Sequence, residues 1–80
     1  MSFLIEKYKH IPNFACLDSN TYKSFDTLAL AKVECSEDDA CVAVTDKFCN
    51  NEGLKLCKSL TTSRFDSDCI YKKEELHGIL

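Results

Sequence analysis

The chain has 80 residues, six of them cysteine, and a formal net charge of −3. That length allows one small domain, spanning residues 1–80, whose hydrophobic core alone would leave stability marginal. The mild acidity argues against a nucleic-acid partner. No run approaches the roughly 20 apolar residues of a membrane span, so no direct membrane insertion is expected.

In chain order, residues 3–9 alternate in part, with Phe3 and Ile5 on one side, and are predicted as a strand. Pro12 is expected to interrupt it, because proline cannot donate to a ladder within a central strand. Phe14, Ala15, Cys16 and Leu17 read as a short strand, followed by a polar turn at Asp18, Ser19 and Asn20. A helix then opens after Ser24, Asp26 or Thr27, any of which can cap it, and ends near Cys35. Leu28, Ala31 and Cys35 recur at helical spacing and form its inner face, with Leu30 and Val33 flanking and Lys32 and Glu34 pointing away. With about nine residues it would be marginal alone and needs packing and a bridge through Cys35.

The acidic residues Glu37, Asp38 and Asp39 form the exit turn and are expected to be solvated. Cys41 opens an interior strand through Thr45, rich in β-branched residues. A short Phe48-Cys49 piece follows, then the strongest turn signal of the chain, Asn50-Asn51-Glu52-Gly53. Residues 54–58 alternate and form the next strand. Residues 59–68 read as a polar loop, residues 69–73 as the last strand, and residues 74–80 as a helical turn or short strand. A helix followed by short antiparallel strands indicates the α+β class. Phe14, Phe25 and Phe48 are expected in the core, and Tyr22 and Phe65 at exposed contacts.

The cysteines are separated by 18, 5, 7, 7 and 11 residues, with no C-x-x-C pair, and only His10 and His77 are available to complete a zinc site. Disulfides are therefore expected rather than a metal, which places the protein in an oxidising, secreted or extracellular setting. No signal peptide is recognisable at the start, so a leader and neighbouring domains of a larger chain are expected to lie outside this sequence. Sequence statistics leave the 15 possible pairings open. Proposed hairpin geometry favours Cys41–Cys49 across a turn near Thr45, Cys35–Cys57 from helix to sheet, and Cys16–Cys69 between the ends.

No catalytic constellation is present: all six thiols are committed to pairing, and Gly53 and Gly78 are too few for a phosphate-binding loop. The protein is thus expected not to be an enzyme and to need no cofactor or metal. Asp46 to Gly53 and Asp66-Ser67-Asp68 both lack the acidic frame of a calcium loop. His10 and His77 are expected to be exposed polar residues. Residues 34–39 hold four acidic side chains, whereas residues 47–73 hold six basic and three acidic ones, giving a mild charge polarity.

The cap followed by LALAKVEC, then SEDDACVAV, a later LCK and a final CIYKK resembles the PAN/apple family over residues 14–73. In that family a helix carries Ala four residues before a Cys, here Ala31 and Cys35, and a second Cys, here Cys41, starts a strand. The resemblance implies a small disulfide-rich α+β domain, one α-helix packed on a curved antiparallel β-sheet, with bridges Cys35–Cys57 and Cys41–Cys49 and an end-to-end Cys16–Cys69 link. A Cys35–Cys41 bridge would overturn the assignment. Saposins share the cysteine count but begin with C-x-x-C and are helical throughout.

Members of the PAN/apple family bind other proteins in blood-protease and growth-factor precursors, and glycans in parasite adhesins and lectins. The resemblance therefore implies an extracellular adhesion module binding protein or carbohydrate through loops and a sheet face. Lys55, Lys58, Arg64, Phe65 and Lys72 are the candidate surface, since arginine and aromatic residues are enriched at binding hot spots. Two alternatives are a secreted protease inhibitor or toxin-like effector anchored by Arg64, and a structural repeat of an ectodomain.

Overall fold

The computed structural model describes residues 7–74. Residues 3–6 of the first predicted strand, residues 75–80 of the last predicted element, and His77 lie outside them. The elements run β1 (Lys7–Cys16), β2 (Thr21–Phe25), α1 (Leu28–Glu37), β3 (Ala43–Asp46), β4 (Leu54–Cys57) and β5 (Thr62–Glu74), with short 3-10 turns at Asp18–Asn20 and Lys47–Cys49. The five strands form one sheet in the order β1-β5-β3-β4-β2, and every neighbouring pair is antiparallel. The described residues form a small disulfide-rich α+β domain with one α-helix.

Pairing register assigns the two faces. Val44 lies opposite Leu56 and Tyr71, and Asp46 opposite Leu54 and Cys69. Directly opposed residues share a face, and this one meets the helix: Ala31, Cys35, Cys41, Val44, Leu54 and Leu56 form the buried cluster, with Tyr8, Phe25, Leu28 and Tyr71 at its margin. On the opposite face Ala43, Cys57 and Ile70 cluster with Cys16, bordered by Ile11 and Val42.

The helix begins at one of the three expected caps: Thr27 Oγ1 accepts the Leu30 N–H at 3.2 Å, a bond worth about 1 kcal/mol. It continues to Glu37, two residues beyond Cys35. The last carbonyls of a helix lack partners within it, and here the sheet supplies a cation. The Lys73 ammonium donates to the carbonyl oxygens of Cys35 at 2.7 Å, Asp38 at 3.3 Å and Cys41 at 3.3 Å. Tyr8 completes the junction, its hydroxyl donating to the Lys32 carbonyl at 3.0 Å. Lys32 does not point away as expected: its ammonium lies 5.4 Å from the Tyr8 ring and 5.2 Å from the Tyr71 ring, a cation–π arrangement.

Several expectations are corrected. Pro12 does not end a strand but sits exposed within β1. β1 is a sheet edge, where a missing N–H costs no ladder bond. Thr21–Phe25, to which the sequence pattern assigned no strand, is the other edge strand. The hairpin after the helix pairs β3 with β4 rather than turning near Thr45, and its strand opens at Ala43, not Cys41. The predicted 59–68 loop is largely strand: Thr62, Ser63 and Arg64 pair with Cys16, Ala15 and Phe14. Residues 65–68 bulge between this segment and the Cys69–Pro12 pairing, opposite Asn13 at φ 69°. Phe48, expected in the core, is 61% exposed, whereas Phe14 and Phe25 are half-buried.

The cysteine pairing is also corrected. All six form disulfides, but as Cys16–Cys57, Cys35–Cys41 and Cys49–Cys69. Cys41 precedes β3 and lies beside the helix end, so Cys35 reaches it across the short exit turn. Cys49 sits in the β3–β4 connection beside β5, which brings it to Cys69 instead of Cys41. Cys57 is left opposite Ala43 on the far face, where Cys16 arrives from β1.

Asp38 does more than face solvent. It accepts the Tyr22 hydroxyl at 2.7 Å and the Ala40 N–H at 2.9 Å, joining edge strand β2 to the helix exit. The Tyr22 hydroxyl, and next the Ala40 N–H, hold its carboxyl below the ordinary carboxylate range. Desolvation and the Asp38 bond and charge push the Tyr22 phenol up to about 12.

Two predictions follow from these links. Because the Asp38 value is depressed on folding, its contribution is present above the ordinary carboxylate value and is lost as pH falls through the folded one. Tm should therefore decline less steeply below about pH 4 in Tyr22→Phe than in the wild type; parallel declines would contradict the link. The Cys16–Cys57 bridge spans 41 positions and Cys35–Cys41 only 6. On loop-closure entropy their removal costs about 4 and about 2 kcal/mol respectively. Urea unfolding of the two double-alanine variants should rank them in that order.

Candidate functional site

The face opposite the helix carries Thr45 and Lys55, directly opposed on β3 and β4. The end of β1 crosses onto it. The Cys16 N–H donates to Thr45 Oγ1 at 3.3 Å, and the Cys16 sulfur is bonded to Cys57. The crossing leaves a cleft of about 370 Å3 lined by Ala15, Cys16, Asp18, Thr21, Thr45, Lys47, Phe48, Gly53, Lys55, Phe65, Ser67 and Asp68. Buried Ala15, Cys16 and Thr45 form its floor. One wall is the β3–β4 connection and the other is the 65–68 bulge.

The first wall holds an unusual backbone. Phe48, Cys49 and Asn51 have φ of 65°, 49° and 66°, and Gly53 has 62°. Left-handed conformations at non-glycine residues cost of order 1–3 kcal/mol each and persist where the surroundings enforce them. Three restraints do so here. Asp68 Oδ1 accepts the Phe48 N–H at 3.0 Å, Asp46 Oδ2 accepts the Asn51 N–H at 3.0 Å, and Cys49 is bonded to Cys69. Asp46 is fully buried, and its Oδ1 has no hydrogen-bond partner among the described residues.

The restrained wall and the bulge each present an aromatic side chain at the cleft: Phe48 is 61% and Phe65 52% exposed. The Lys47 ammonium lies 5.5 Å from the centre of the Phe48 ring. Lys55 adds a second cation, Asp18 and Asp68 add carboxyl groups, and Thr21 and Thr45 add hydroxyls. Such a lining suits recognition: aromatic faces take apolar or sugar-ring surfaces, and a few polar groups fix orientation.

Of the five expected surface residues, the structure brings Lys55 and Phe65 together in the cleft. Lys72 lies apart, in a shallower groove of about 260 Å3 with Ile11, Phe14, Leu60, Thr62 and Ile70. Lys58 is exposed just after β4, its N–H donating to the Asn20 carbonyl at 2.8 Å. Arg64 is exposed within β5 and lies 3.8 Å from Asp66. Sequence reasoning missed Phe48, Lys47, Asp18 and Asp68. Only the turn signal at residues 50–53 hinted that Phe48 lies in a connection rather than in the core.

A second cluster lies on the helix-side face, at the β1–β5 pair. His10 Nε2 is 3.5 Å from Cys49 Sγ, and the His10 ring stacks on Tyr71 at 5.1 Å between centroids. The ligand-type atoms of His10, Cys49 and Cys69 all lie within 4.8 Å of one another. Both sulfurs are spent in a disulfide, and a metal ligand needs thiolate. His10 is exposed, as expected, yet it is engaged with a bridge and a ring.

Comparison with known proteins returned no match for this chain, whether among family models, curated proteins or solved structures.

The Asp68 restraint is testable. Asp68→Ala should accelerate hydrogen exchange of the Phe48 amide and cost about 1 kcal/mol of stability, the net contribution of one hydrogen bond. Unchanged exchange at Phe48 would show that the loop does not depend on this bond.

Proposed function

We propose that this protein is an extracellular recognition and adhesion module that binds protein or carbohydrate in the Thr45–Lys55 cleft, without catalysis. The observation that carries the reading is the pair of exposed rings, Phe48 and Phe65, that line one cleft together with the charged side chains of Lys47, Lys55, Asp18 and Asp68. A strained connection and a strand bulge, both tied to Asp68 or its neighbour Cys69, form the cleft walls. A covalently framed domain with no free cysteine fits an oxidising compartment, and such a rigid scaffold carrying loops suits binding.

A PAN/apple-like identity has support from the Ala31, Cys35 and Cys41 pattern and from the packing of one helix on an antiparallel sheet. The pairing it implied is not the one formed, and Cys35–Cys41 is the bridge set out above as overturning the assignment, so the functional reading rests on the cleft alone. The inhibitor alternative gains no support: Arg64 sits in a paired strand segment beside Asp66 rather than at a projecting tip.

Glycan-array binding and pull-down from extracellular material test the proposal directly. The wild type should retain a partner that Phe48→Ala/Phe65→Ala loses by at least tenfold, on the hot-spot scale of buried aromatic anchors. Equal binding by the double variant, or no partner for either protein, would remove the cleft from consideration.

A further inference from the structure

Three disulfides frame this domain, and they differ in accessibility. Cys16, Cys57, Cys35 and Cys41 are 5%, 0%, 0% and 1% exposed, so both of their bridges are buried. In the third bridge Cys69 is 0% exposed while Cys49 is exposed. Of the six cysteines Cys49 alone is exposed, so this bridge is the one that an external thiolate approaches most readily.

The surroundings of this bridge are polar as well as open. A disulfide sulfur carries no hydrogen, so contacts to it as hydrogen bonds require the neighbour to donate. His10 Nε2 lies 3.5 Å from Cys49 Sγ and can donate to it in the tautomer that places the ring hydrogen there. The Tyr71 hydroxyl lies 3.9 Å from Cys69 Sγ and is placed to donate toward the sulfur that would leave. Burial, and then the nearby Asp46, raise the Tyr71 phenol above its ordinary value, which keeps that proton in place. The stacking of His10 on Tyr71 holds the two donors side by side.

We propose that Cys49–Cys69 is a thiol-exchange site, opened at Cys49 by an external thiol while the other two bridges stay closed. In the first step the thiolate sulfur bonds to Cys49 Sγ, the Cys49–Cys69 bond breaks, and its electron pair leaves on Cys69 as thiolate. Tyr71, with His10 nearby, hydrogen-bonds this developing charge, and the rate of exchange follows leaving-group stability. A second equivalent of thiol attacks the mixed disulfide, releasing Cys49 and an oxidised thiol pair. Two thiols are oxidised for one protein disulfide reduced.

Opening the bridge also removes one of the three restraints on the left-handed backbone at Phe48, Cys49 and Asn51. Lys47 and Phe48 on that segment and Asp68 beside Cys69 all line the cleft. The bridge thus sets the shape of the cleft wall. Its effect on ligand binding rests on the recognition reading above, whereas the exchange chemistry does not.

The test uses the intact, fully oxidised protein and reduced glutathione, with quenching by an alkylating agent, tryptic digestion and mass spectrometry. Cleavage after lysine and arginine places Cys49 in residues 48–55 and Cys69 in residues 65–72, so each adduct is assigned separately. The expected result is a glutathione adduct on Cys49, alkylation of Cys69, and persistence of Cys16–Cys57 and Cys35–Cys41 at the same thiol concentration. Tyr71→Phe and His10→Phe should each slow the opening, Tyr71→Phe by roughly tenfold, the rate equivalent of one hydrogen bond to a charged group. Earlier opening of another bridge, an adduct on Cys69, or wild-type rates in both variants would overturn the proposal. Hydrogen exchange over residues 47–53 should rise in the opened form. Unchanged exchange there would refute the control of the cleft wall whether or not a ligand is ever found.

Discussion

The Cys16–Cys57 bridge holds together parts of the chain that burial alone would hold only weakly. Among the described residues no aromatic ring is fully buried, and the largest side chains that are include Leu54, Leu56, Val44 and four cysteines. A core of this size provides little surplus over the entropy of ordering the chain. The bridge joins the end of edge strand β1 to β4, two strands in from that edge's partner β5. With the Cys16 N–H bond to Thr45, it draws β1 across the face opposite the helix. The cleft is the space this crossing leaves.

The two smaller bridges act locally. Cys35–Cys41 closes the helix exit, where Lys73 also gathers the carbonyls of Cys35, Asp38 and Cys41. A positive side chain opposes the negative end of the helix dipole there, which offsets the unfavourable placement of the acidic exit residues. Cys49–Cys69 secures the most strained backbone in the described chain, and that strain lies next to Phe48 at the cleft. Strain stored beside a binding surface is a familiar arrangement, because the surroundings that enforce it also fix the exposed side chains.

The helix and the two central strands were legible from sequence because each obeys a strong local rule. Thr27 caps, Ala31 and Cys35 recur at helical spacing, and Val44, Leu54 and Leu56 are apolar where their strands face the helix. The edges were not legible. Tyr22, Lys23 and Ser24 carry no apolar alternation because β2 is an edge strand with little to bury. Thr62, Ser63 and Arg64 are polar for a similar reason, since they pair with the far end of β1. Pro12 reads as a breaker only where both sides of a strand need donors. The Cys49–Cys69 pairing depends on left-handed residues that are not glycine, a path no local pattern announces. Of the site, Lys55 and Phe65 were named from composition, while Phe48 was misplaced in the core because a small domain is expected to bury its rings.

The disulfide connectivity is the foundation of the cleft and is open to direct measurement. Tryptic cleavage of the unreduced protein leaves Cys35 and Cys41 together in residues 33–47, Cys16 in residues 10–23 and Cys57 in residues 56–58. Peptide mass spectrometry should find 33–47 closed on itself, 10–23 joined to 56–58, and 48–55 joined to 65–72. A 10–23 peptide joined to 65–72, with 33–47 joined to both 48–55 and 56–58, would contradict the account.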